Sequence, residues 1–150
     1  MNFHKNKIIA IDFDGTIVED RYPKIGPEQI FAFATMKKLQ QQGHKLVLWT
    51  LRSGKRLEEA VAFCEKNGIE FYAVNENYKD EVLDKKTPRK IYADIYIDDR
   101  NAGGFIGWGK VHHLFLGESG HMQKHHNGLL SSMIKRALRV LKKLERNYLK

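Results

Sequence analysis

The sequence predicts an α/β domain built on a mostly parallel sheet with helices on both faces. Three observations predict it. Short apolar runs alternate with helical segments, several of those runs end in an acidic or hydroxyl residue, and the 150-residue chain is 42% hydrophobic and 29% charged. That balance and length suit one soluble domain with a sizeable core. No apolar stretch approaches the ~20 residues of a membrane-spanning helix, and the N-terminus lacks the apolar core and cleavage site of a signal peptide, so a cytoplasmic protein is expected.

The elements follow in order. Lys7–Ile11 is short, isoleucine-rich and ends at Asp12, the pattern of a strand buried on both faces. Pro27 suits a first helical turn, and Ile30, Phe33, Met36 and Leu39 recur at helical spacing until Gly43. Lys45–Trp49 is a second strand, ending at Thr50. A second helix runs from about Lys55, with Leu57, Val61 and Cys64 on one face and Asn67-Gly68 as its stop. Phe71–Val74 is a third strand, residues 76–90 are polar helix or loop, and Ile95–Ile97 is a fourth strand ending in Asp98-Asp99. Val111–Leu116 is expected as a fifth strand, with one of His112 and His113 facing inward. This alternation implies right-handed crossovers, with functional groups gathered at the carboxyl ends of the strands. Cys64, the single cysteine, has no internal disulfide partner and reads as a small core hydrophobe.

The net charge of +8 is unevenly placed. Residues 1–120 carry a net +1 and residues 121–150 a net +7. The chain therefore divides into a body, 1–120, and a segment, 121–150, that joins a Gly- and His-containing linker to an amphipathic basic helix. Leu130, Met133, Ile134, Ala137, Leu141, Leu144 and Tyr148 form its apolar stripe. That stripe could pack on the body or a second subunit, giving a possible dimer. Its cations could meet nucleic acid or an acidic protein partner, and a membrane surface is a further option.

Four features stand at the ends of consecutive strands. They are Asp12-Phe13-Asp14-Gly15-Thr16 after the first, Thr50 after the second, a lysine before the fourth and Asp98-Asp99 after it. Carboxylates brought together from two strand ends repel unless a cation sits among them, and an all-oxygen set suits Mg²⁺. In such an Asp-X-Asp pair the first carboxylate can attack phosphorus and the second, with Gly15 letting the chain turn, can protonate the leaving group. Thr50 offers its hydroxyl, and Leu51 its backbone N–H, to phosphoryl oxygens. Lys90 is the choice for the cation that neutralises charge there, with Arg89 and Lys86 as alternatives. Arg52 could grip a second anionic group of a substrate, or pair with Glu58 or Glu59 at the helix start. Asn75 and Tyr22 could each contact substrate or serve as turn and surface residues.

This set resembles the four signature motifs of the haloacid-dehalogenase-like (HAD) phosphohydrolase superfamily, over about residues 7–116. The resemblance implies a Rossmann-like three-layer αβα sandwich of about five strands. It further implies an aspartyl-phosphate intermediate on Asp12 and acid–base catalysis by Asp14. Mg²⁺ would be held by Asp12, the backbone carbonyl of Asp14, and Asp98, with Asp99 behind them. Asp14 argues for phosphate-ester hydrolysis rather than C–halogen cleavage, since only the former needs an acid for its leaving group. The gaps at Ile17–Gly26 and Asn75–Asp94 hold no cap domain, which points to the small capless phosphatases with at most a flap near Glu19–Pro23. A polynucleotide-end phosphatase tracking the strand with the basic helix, and a non-catalytic phosphate-binding or partner-binding scaffold, are the alternative expectations.

Overall fold

A computed structural model describes residues 6–117. The linker and basic helix drawn over residues 121–150, with the boundary at 120, lie outside the described residues. The elements are β1 (Ile8–Ile11), α1 (Ala32–Gln41), β2 (Lys45–Leu48), α2 (Gly54–Lys66), β3 (Ala73–Val74), β4 (Ile95–Ile97) and α3 (Trp108–Leu116). The four strands form one parallel sheet in the order β3-β2-β1-β4, with Ile9 opposite Leu46 on one side and Ile95 on the other. β1 is therefore central, and its apolar run is the signature of a strand covered on both faces. Among the described residues no helix is long and apolar enough to cross a membrane.

Strand alternation sorts the core. Ile9, Ile11, Leu46, Leu48 and Ile97 face one way and pack with Phe33, Met36 and Leu39 of α1, Ala60 and Cys64 of α2, and Trp108, Val111 and Phe115 of α3. Ala10, Val47 and Ala73 face the other way, against Ile91, with Ile8, Trp49, Ala93 and Tyr96 half-buried around them. Among the described residues all three helices thus lie on one face, and Ile91 and Ala93 of the helix-free segment 75–94 cover part of the other. Cys64 is buried as expected, and burial pushes its thiol up to about 12, which makes it inert.

Two elements differ from expectation. Val111–Leu116 is helix, not a fifth strand, because its apolar residues belong to the stripe Trp108, Val111, Phe115 at helical spacing. His112 is half-buried and His113 exposed on that helix. The first helix begins at Ala32 instead of Pro27. The backbone of 17–29 is already used, since Glu19 N–H donates to Pro27 C=O and Gln29 N–H to Ile17 C=O. Phe31, at φ 67°, turns the chain into the helix, and Ile30, expected on the buried stripe, is 77% exposed.

His44 closes the end of the sheet remote from the strands' carboxyl ends. It is buried, its Nδ1 accepts the Lys7 N–H at 3.1 Å, and its ring meets Phe115 edge-on. Burial, with Lys7 adding to it, holds its pKa below the usual 6.5. A histidine kept neutral in the fold contributes stability above pH 6.5 that is lost as pH falls through its folded value. The melting temperature is expected to drop on acidification below pH 6.5, and His44→Asn, which keeps an acceptor without a proton to gain, is expected to flatten that limb of the curve.

Candidate active site

The parallel sheet brings Asp12, Asp98, Thr50 and Asn75 to one edge, each just beyond the end of its strand. Asp12 N–H donates to Ile97 C=O at 3.0 Å, which stitches the first acidic residue to the end of β4. There the carboxylate oxygens of Asp12, Asp98 and Asp99 lie within 4.8 Å of one another. Asp12 is raised from 3.8 to about 7, first by burial, with Asp98 and Asp99 adding repulsion. The backbone N–H of Phe13 and the hydroxyl of Thr16 work in the opposite direction. Asp99 enters the cluster because Gly15, at φ +80°, leaves room for it. A Cβ at position 15 would sit 2.3 Å from Asp99 Oδ2.

These residues fit a small hard cation. The donor set is all carboxylate, Asp99 Oδ1 is buried and makes no hydrogen bond, and a positive charge among the three acidic groups would relieve their repulsion. Asp99 stands in the cluster itself instead of behind it, while the Asp14 carboxylate, two residues beyond Asp12, is directed to another partner.

That partner is Arg52. Its Nε and Nη2 donate to the two oxygens of Asp14 at 2.7 Å each, Nη2 also reaches Lys24 C=O at 2.8 Å, and Nη1 reaches Pro23 C=O at 3.2 Å. The Arg52 side chain is 0% exposed. The expectation that it grips a second anionic group, or pairs with Glu58 or Glu59, gives way to this fork on Asp14, because four hydrogen bonds within the fold already engage it. The same contacts tether the loop expected as a flap. Tyr22 lies over both Arg52 and Arg56.

A cavity of about 890 Å³ opens over the cluster. Asp12, Asp14, Asp98, Thr50, Leu51, Arg52, Asn75 and Arg89 line it, with Trp49, Leu83, Pro88 and Ile91 as an apolar wall. Thr50 Oγ1 accepts the Arg52 N–H, and Thr50 N–H donates to Asn75 Oδ1 at 2.8 Å, so Asn75, at φ 55°, props the turn after β2. Lys90 is placed elsewhere. It is exposed, lies 5.2 Å from the Tyr96 ring centroid and borders a neighbouring cavity, whereas Arg89, one residue earlier, faces the acidic one. The chain bends at Arg89 and Lys90, which directs the two adjacent side chains to different cavities.

Two supporting residues were not singled out by sequence. Thr16 is fully buried and its hydroxyl donates to Asp12 Oδ2 at 3.3 Å. Trp108, 92 residues later, donates its indole N–H to Thr16 C=O at 2.8 Å. The motif containing Thr16 could have signalled the first; nothing local signals the second.

The fold and site together define a parallel α/β protein with an acidic, cation-suited centre at the carboxyl edge of its sheet. A solved structure described as the conserved protein coded by a locus from Bacteroides thetaiotaomicron is 48% identical, with a TM-score of 0.71, over 75% of this chain and 91% of that one. The chain belongs to the same family as that conserved protein. No family model matches the chain, and no curated protein does.

Proposed function

We propose that the chain is a Mg²⁺-dependent, capless phosphatase of the HAD type that hydrolyses a small phosphate monoester through an aspartyl-phosphate on Asp12. The observation that carries this reading is the convergence of Asp12, Asp98 and Asp99, of which Asp12 and Asp98 line a cavity that also receives Asp14 and Thr50. Asp12 Oδ attacks phosphorus while the bond from phosphorus to the leaving oxygen breaks, and that oxygen takes the proton of Asp14. Water then attacks the same phosphorus and gives its proton to Asp14, and the Asp12–phosphorus bond breaks, returning both carboxyls to their starting states. Thr50 and the Leu51 N–H are suited to hold phosphoryl oxygens, and Arg89 is the cation best placed to assist them. Asp12, Asp98 and Asp99 would hold Mg²⁺, with the Asp14 carbonyl as a further ligand; when bound, the ion neutralises these carboxylates and the phosphoryl charge.

The size of the cavity favours a small substrate, since about 890 Å³ falls in the range of small-molecule sites. Ile17–Gly26 and Asn75–Asp94 carry no helix and wall the site themselves, in keeping with a capless enzyme. The polynucleotide-end alternative rests on the basic segment 121–150. The test is phosphate release from a panel of metabolite monoesters and 3′- and 5′-phosphorylated oligonucleotides, with Mg²⁺ or with EDTA. Release from a metabolite ester with Mg²⁺ and none with EDTA is the expected result. Release unaffected by EDTA would remove the proposed mechanism, and preference for the oligonucleotides would transfer the reading to the alternative.

A further inference from the structure

Arg52 is a fully buried guanidinium that hydrogen-bonds to none of the three carboxylates proposed to hold the cation. A buried cation with one anionic partner is costly unless the geometry is good and the remaining donors are satisfied. Here both conditions are met by residues of the site alone. The fork is bidentate on Asp14, its remaining contacts are the Pro23 and Lys24 carbonyls, and its plane lies near the Phe13 ring at 4.9 Å and the Tyr22 ring at 5.4 Å. Its own N–H bonds Thr50 Oγ1 at 3.2 Å. One side chain thus fixes the carboxyl after β1 against the turn after β2 and the 22–24 loop.

We propose that Arg52 is a positioning residue for Asp14: the two-pronged fork holds the carboxylate that remains once the leaving oxygen has taken its proton, and fixes where it stands to accept one from the attacking water. The inference rests on the phosphatase reading above. A monodentate lysine cannot reproduce the arrangement, because two parallel N–H groups are needed to fix both carboxylate oxygens while others hold the two carbonyls.

A residue acting through the acid is revealed by the leaving group. Glycerol phosphate releases an alkoxide that needs a proton; 4-nitrophenyl phosphate releases a phenolate that does not. Arg52→Lys is expected to lower kcat for glycerol phosphate by about 100-fold and for 4-nitrophenyl phosphate by less than about 10-fold, with KM little changed. In an Asp14→Asn background the same substitution is expected to add almost nothing. Equal losses on both esters, an additive loss in the double variant, or a raised KM with unchanged kcat would each overturn the proposal; the last would place Arg52 on the substrate. If Arg52→Lys does not fold, Tyr22→Ala removes one flanking ring from an exposed position and is expected to show the same bias in smaller degree, uniform loss again being the overturning result. Wild-type protein that releases no phosphate from either ester fails the phosphatase reading, and this inference falls with it. A wild type active on both, with no bias in the variants, fails this inference alone.

Discussion

Asp12→Asn is expected to abolish phosphate release, by a factor on the order of 10⁴ or more, while leaving the fold intact or more stable. The amide keeps the shape of the side chain but cannot attack phosphorus. The stability half of the expectation comes from the carboxyl's environment. Burial, reinforced by Asp98 and Asp99, raises Asp12 to about 7, so the folded state binds this proton more tightly than the unfolded chain does. A group raised in this way contributes stability below its unfolded value of 3.8 that is lost as pH climbs through about 7. Without a divalent cation at pH 8, the wild type carries three crowded carboxylates and Asp12→Asn carries two. The variant is then expected to melt higher than wild type in EDTA and to gain less when Mg²⁺ is added. Phosphate release with both substrates measured alongside thermal melts with and without Mg²⁺ reads both halves. Activity equal to wild type would reject Asp12 as nucleophile.

Gly15→Ala is expected to damage the same cluster from the opposite side. Position 15 lies at φ +80°, where an L side chain costs about 1–2 kcal/mol, and its Cβ would fall 2.3 Å from Asp99 Oδ2 and 2.7 Å from Cγ. Asp99 must move, which takes its carboxylate out of the acidic cluster proposed to hold the cation. A loss of at least about 10-fold in Mg²⁺ affinity is expected, together with a melting temperature lowered by about 5–10 °C. Gly104→Ala is the matched control. It shares a positive φ of 69° but has nothing within 4 Å of its Cβ, so it should show the backbone cost with unchanged Mg²⁺ affinity. Equal Mg²⁺ affinity in wild type and Gly15→Ala, by calorimetry, would remove Asp99 from the cation site.

The two experiments separate roles that lie side by side in the chain. Asp12, Asp14 and Gly15 span four positions, yet Asp12 belongs to the acidic cluster, Asp14 to Arg52, and Gly15 serves Asp99. The turn that follows β1 supplies this divergence: Thr16 and Ile17 N–H donate back to Phe13 C=O, and the reversal of the chain there sends the side chains to different neighbours.

What the sequence determined by itself is the strand pattern and the place of the acids. Four apolar runs ending in polar residues give four parallel strands, because a β1-type run can be satisfied only by cover on both faces, and parallel strands put their ends at one edge. Asp12, Thr50, Asn75 and Asp98 reach that edge by chain connectivity alone. Tertiary structure decided the rest. Val111–Leu116 taken alone reads as strand or helix, and the helix is selected once Trp108, seated against Thr16, joins Val111 and Phe115 in one buried stripe. The start of α1 was decided by backbone pairing between 17–19 and 27–29, which composition does not reveal. Arg52 and Lys90 were misplaced for a common reason. Long cationic side chains take their positions from the partners that folding offers: for Arg52 these are Asp14 and the loop carbonyls at 23–24, brought near by the sheet, and for Lys90 the ring of Tyr96 in the following strand.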